Sequence, residues 1–92
     1  CRALWKVFTD GNNGEVYNIG ANTEKSNLQI IQQICRLMKV RSKDHIEHVG
    51  DRLGHDFRYA IDSTKITKLG WKPMYTISQG MKKTVNWYIE TF

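Results

Sequence analysis

The sequence predicts an α/β fold, with three or four helices around short strands. Three observations predict it. Apolar residues recur at helical spacing in several stretches. Two short runs read as strands: 15–19, with Tyr17 and Ile19 on one face and Val16 on the other, and 46–49, with Ile46 and His48 on one face. Glycines and capping residues punctuate the chain where those stretches stop.

Taken in order, residues 2–10 read as a short helix, or the tail of a longer one. Ala3, Leu4, Val7 and Phe8 fall at helical spacing, and Gly11 stands at the position of a C-terminal cap. Asn12-Asn13-Gly14 signals a turn. Glu15-Val16-Tyr17-Asn18-Ile19 reads as a strand, with Tyr17 and Ile19 on one face, and Gly20 ends it. Ser26-Asn27-Leu28-Gln29 is a capping box, and the helix it opens is expected to run to about residue 39. Its stripe of Leu28, Ile31, Cys35 and Met38 is widened by Ile30, Ile34 and Leu37, which calls for burial on more than one side. Ile46 to Val49 reads as a second short strand. Asp62 or Ser63 caps a two-turn helix that holds Ile66 and Leu69 and stops at Gly70. Ser78 is expected to cap a last helix carrying Met81, Val85, Tyr88 and Phe92. Trp71, Trp87 and Tyr88 are expected in the core.

Composition narrows the function classes. The chain has 92 residues, 40% hydrophobic, with one Pro and seven Gly, which is ordinary globular usage. No apolar run is long enough for a membrane span, so no membrane partner is expected. Because it opens on Cys1, the chain reads as a piece of something longer. Cys1 and Cys35 form no C-x-x-C pair, and reduced thiols in a cytoplasmic setting are expected. The net charge of +5 suits an anionic partner without choosing among phosphate, nucleotide and nucleic acid.

The densest chemistry lies in residues 51–59, where Asp51, Arg52, His55, Asp56 and Arg58 surround Gly54. Two arginines and a histidine on such a loop can converge on a phosphate through charge-assisted bonds. The same residues can equally form a surface salt-bridge cluster. Asn27 lies in the first turn of the capped helix, where free N–H groups and the helix dipole favour an anion, or where Asn merely caps. His45 and His48 lack further ligands at metal-binding spacing, so no metal site is expected. The basic run Arg36, Lys39, Arg41 and Lys43 suits a solvated helix end better than a nucleic-acid patch. No Gly-x-Gly-x-x-Gly, Walker or Gly-x-Ser-x-Gly motif occurs, and no paired acid and base stand out. On chemistry alone the chain is a binding module without catalytic residues.

Several strings carry a resemblance. They are Gly14-Glu15-Val16-Tyr17-Asn18-Ile19-Gly20, Glu24-Lys25-Ser26-Asn27-Leu28, Asp51-Arg52-Leu53-Gly54-His55-Asp56 with Arg58-Tyr59-Ala60-Ile61-Asp62, and Leu69-Gly70-Trp71-Lys72-Pro73. With Lys83-Thr84-Val85-Asn86-Trp87-Tyr88 they resemble the C-terminal part of the dTDP-glucose 4,6-dehydratases, which are extended short-chain dehydrogenases. The resemblance covers essentially the whole chain, in order. Its most specific segment is the one from Asp51 to Asp62. Leu53 departs from it, standing where that family usually has Pro.

The resemblance implies a parent enzyme that uses a tightly bound NAD to make a 4-keto-6-deoxy sugar. It also implies that the Rossmann domain and the catalytic groups lie outside these residues, so that this chain holds no cofactor and is inactive alone. Residues 1–20 would then be the trailing helix and outer strand of the dinucleotide-binding domain, and residues 21–92 the nucleotide-sugar-binding domain. Asn27 and Arg52 would hold the diphosphate, with His55 beside the nucleotide of a dTDP- or UDP-sugar. That favours the binding reading of both sites. The alternatives are a small basic nucleic-acid binder, or a chain whose only activity is self-association. Several apolar residues on one helix and a strand without its sheet also imply a homo-oligomer.

Overall fold

The computed structural model describes residues Cys1–Phe92. Four helices account for the regular structure: α1 (Arg2–Asp10), α2 (Asn27–Leu37), α3 (Thr64–Lys68) and α4 (Ile77–Thr91). A single 3₁₀ turn at Ser42–Asp44 follows α2. The chain divides into two compact units. One comprises Cys1–Glu24 with Arg58–Met74, the other Lys25–Phe57 with Tyr75–Phe92.

The expected α/β class is wrong, because neither 15–19 nor 46–49 forms a strand. Alternation says which residues share a face. A strand also needs a neighbour to pair its backbone N–H and C=O groups, and neither segment has one. Val16 and Val49 are left exposed. Side chains tie down residues 12–17 instead. The Tyr17 hydroxyl accepts the Asn12 N–H at 2.9 Å. Glu15 pairs with Lys65 on α3, whose ammonium lies 5.0 Å from the Tyr17 ring centre.

In the first unit the buried residues are Ala3 on α1, Ser63 and Ile66. The face of α1 that turns inward is Ala3 with half-buried Val7, while Leu4, Trp5 and Phe8 remain exposed. Lys6 bonds Asp10 one turn on, at 2.5 Å, and that contact holds the Asp10 carboxyl below its ordinary range. Asp62 accepts the Thr64 N–H at 2.9 Å and so starts α3. The other expected cap, Ser63, does something else. Its hydroxyl is buried and donates to the Gly20 carbonyl at 2.7 Å, with Asn22 Oδ1 at 3.2 Å. A Cβ on Gly20 would stand 2.3 Å from Ile61 Cγ2. The helix stops at Gly70, whose φ of +95° is the left-handed conformation glycine adopts without strain.

In the second unit α2 packs on α4, with Cys35 and Val85 buried. Both halves of the α2 capping box form. The helix ends two residues earlier than expected, at Leu37. Its end is a Schellman motif, in which the Val40 N–H reaches the Cys35 carbonyl at 2.9 Å and the Lys39 N–H reaches Arg36 at 3.1 Å. Lys39 takes the left-handed position there, with φ +60°. The start of α4 is also corrected. Thr76 is the cap and Gln79 its reciprocal partner, so Ser78 lies inside the helix. A second capping box, Thr76-Ile77-Ser78-Gln79, outcompetes an isolated Ser.

The aromatic residues of α4 do not fill the core. Trp87 and Tyr88 are 54% and 56% exposed; on the surface Tyr88 stacks with Phe92, and Trp87 meets both rings edge-on. No helix is long and apolar enough to cross a membrane.

Candidate functional site

The predicted binding residues Asn27, Arg52 and His55 all fall in the second unit. Asn27 is the first residue of α2. The Ser26 hydroxyl accepts the Gln29 N–H at 3.1 Å, and Gln29 Oε1 accepts the Ser26 N–H at 2.8 Å. Helix geometry then leaves the Asn27 and Leu28 N–H groups without an intrahelical acceptor. They sit at the positive end of the helix dipole, which favours an anion.

Arg52 and His55 share one turn. The Asp51 carboxylate accepts the Arg52 backbone N–H at 3.1 Å and also takes a hydrogen bond from His55 Nδ1. An ionised carboxylate can only accept, so Nδ1 carries the proton and Nε2 is the nitrogen left for a ligand. The His55 N–H closes the turn on the Arg52 carbonyl at 3.3 Å. Gly54, with φ +69°, lets the backbone reverse there. The Arg52 guanidinium makes no ion pair and is exposed. Of the ion pairs expected within this loop, Asp51 with His55 is the one that forms, while Arg58 pairs outside it with Glu24. No hydrogen bond joins Asn27 to Arg52 or His55.

Sequence reasoning missed one bidentate contact. Arg58 forks onto Glu24 in the first unit, through Nε to Oε1 and through Nη2 to Oε2 at 2.6 Å. The Arg58 hydrogen bond, with its charge, holds the Glu24 carboxyl below the ordinary carboxylate range, and Glu24 pushes the guanidinium up in return. The pair therefore stays ionised above the ordinary carboxylate pKa and is lost only as pH falls through the depressed one. The two residues are 34 positions apart, beyond any helical or strand spacing rule. Charge alone could have paired them, but so could many other combinations. Around them lies an open cleft of about 560 Å³, lined by residues 21–24 and 58–62.

The second unit also carries a groove of about 410 Å³ between α2 and α4. Ile34, Met38, Met81, Val85, Tyr88 and Phe92 line it. Of the basic run after α2, Arg41 is paired with Asp44 at 2.8 Å. No three His, Cys, Asp or Glu side chains gather as metal ligands would.

The family model described as GDP-mannose 4,6 dehydratase matches residues 1–84. The dTDP-glucose 4,6-dehydratase of Neisseria gonorrhoeae is 45% identical over 100 residues, covering 97% of this chain and 29% of that protein. The Salmonella typhimurium enzyme of the same name is 50% identical over 95 residues, covering 96% of this chain and 26% of its own length. Among solved structures, dTDP-glucose 4,6-dehydratase from Bacillus anthracis in complex with NAD superposes with a TM-score of 0.89. It is 46% identical and covers 98% of this chain and 28% of that one. The chain thus spans little more than a quarter of the length of the relatives it matches. Its similarity to the dTDP-glucose 4,6-dehydratases runs nearly from end to end, and the chain belongs to the GDP-mannose 4,6 dehydratase family.

Proposed function

We propose that this chain is the nucleotide-sugar-binding portion of a dTDP-glucose 4,6-dehydratase. The observation that carries the reading is the turn at 51–55. Its backbone is fixed by Asp51 and Gly54 while the Arg52 guanidinium is left exposed and unpaired. An arginine fork held open in this way is suited to a diphosphate. The open start of α2 at Asn27 offers further N–H donors in the same unit. The similarity to dTDP-glucose 4,6-dehydratases favours a dTDP-sugar over other diphosphates. NAD chemistry belongs to other parts of such an enzyme, since no dinucleotide-binding fingerprint occurs among these residues.

Titration with dTDP by calorimetry tests the reading. Saturable binding is expected, weakening as salt rises. With dTDP-glucose and NAD added, no 4-keto sugar is expected from the chain alone. Absence of dTDP binding at millimolar concentration would overturn the reading, as would turnover in a preparation free of host enzyme. Competition by unrelated DNA with a steep salt dependence would favour nucleic-acid binding instead.

We also propose that copies of the chain associate. Leu4, Trp5 and Phe8 on α1 are exposed, and the groove between α2 and α4 is lined almost wholly by apolar side chains. Covering one such side chain is worth about 1.5–3 kcal/mol. Light scattering behind a sizing column should report a mass above 10.8 kDa that falls on dilution. A monodisperse monomer at every concentration would refute this.

A further inference from the structure

We infer that Glu24 and Arg58 are positioning residues that hold the two halves of the proposed nucleotide-sugar site in register by clamping the neck of the segment between them. The inference rests on the reading of Asn27, Arg52 and His55 as that site. Glu24 is the last residue of the chain before the second unit begins at Lys25, and Arg58 is the first after that segment ends at Phe57. The segment Lys25–Phe57, which carries all three proposed ligands, therefore has its two ends next to this ion pair in the chain. Asn27 lies three residues past Glu24, and His55 three residues before Arg58. Such short tethers reach about 10 Å each, so whatever fixes their roots restricts their tips.

The geometry of the pair suits a clamp. One edge of the guanidinium is engaged through two nitrogens, Nε on Oε1 and Nη2 on Oε2, so the contact fixes orientation as well as distance. It is also a long-range contact made where no strand ladder joins the two chain segments. Beside it, Ser63 donates to the Gly20 carbonyl and so anchors the stretch that leads into Glu24. The approach to the neck is therefore itself held. Holding ligand-bearing segments in place before the ligand arrives reduces the ordering cost of binding. Glu24 and Arg58 need not touch the nucleotide to affect its affinity.

The test uses the chain with dTDP as probe and four variants: Glu24→Arg, Arg58→Glu, the double exchange Glu24→Arg/Arg58→Glu, and Arg52→Ala as a control for the site itself. Each single exchange sets like charges against each other across the neck, and the double exchange restores an opposite-charge pair. The single variants should weaken dTDP binding about tenfold, and the double variant should recover most of that loss. Amide ¹⁵N relaxation supplies a readout that general destabilisation would not reproduce. In the single variants mobility should rise at residues 26–28 and 51–56 while α1 and α4 stay as rigid as in the parent. If the single variants bind like the parent while Arg52→Ala loses affinity, the clamp is refuted and the site stands. If Arg52→Ala also binds like the parent, the nucleotide reading falls and takes the clamp with it. Mobility rising evenly along the chain, with no rescue in the double variant, would reduce Glu24–Arg58 to a general stabiliser and overturn the inference.

Discussion

Ile66→Ala should lower the stability of the first unit by about 2–5 kcal/mol, the cost of emptying a fully packed aliphatic site. Ile66 is 0% exposed, and its only fully buried companion is Ser63. With so few residues inside, little can move in to refill the space. A domain of this size is stable by only about 5–15 kcal/mol in total, so the loss is a large share. Thermal melts should show the midpoint falling by more than about 10 °C. Val16→Ala, at an exposed position of the same unit, should stay within about 0.5 kcal/mol. Should Ile66→Ala fail to fold, Ile66→Val gives the graded version, at about 0.5–1.5 kcal/mol. Equal melts for Ile66→Ala and Val16→Ala would mean that the centre of this unit has been misplaced.

Arg52→Ala should weaken dTDP binding by roughly 10- to 100-fold, and His55→Ala by clearly less. A charge-assisted bond contributes about 1.5–3 kcal/mol, and a guanidinium can place two such bonds on one diphosphate. The imidazole of His55 already uses Nδ1 on Asp51, which leaves one nitrogen for the ligand. Its removal also loosens the turn that presents Arg52, so some loss is expected there too. Calorimetric affinities of the two variants in matched buffer decide the order. A larger loss at His55 would shift the anchor of the site to the imidazole.

The parts of the fold that the sequence announced are those with a local cause. Ser26 and Gln29 are three residues apart and form their capping box without help from elsewhere. Gly70 ends α3 because the left-handed position is open to glycine at little cost. The same logic located α4 but not its first residue, because Ser78 and Thr76 can both cap and only Thr76 has a Gln three residues on to complete the box. The strands at 15–19 and 46–49 failed because pairing is a property of two segments, and alternation describes only one. Trp87 and Tyr88 were expected inside because they are large and apolar. Val85 occupies the buried line of α4 instead, and the rings pack on one another outside. In the candidate site the turn holding Arg52 and His55 was legible as a glycine-containing charged loop. The Glu24–Arg58 fork was not, because nothing local links residues so far apart.

The contact between Ser63 and Gly20 has a consequence for how the chain tolerates change. A side chain on Gly20 would collide with Ile61, and losing the Ser63 hydroxyl would strip a carbonyl of its donor. Neither position can drift alone, and neither is easily rescued by the other, because the two demands differ: one is for empty space and one is for a donor. Most of the surrounding surface carries no such demand. Divergent copies of this unit should therefore vary more at exposed positions without a partner, such as Val16 and Met74, than at 20 and 63, where small residues are expected. A hydroxyl buried beside a glycine thus limits what can stand at either position by geometry rather than by any role in chemistry.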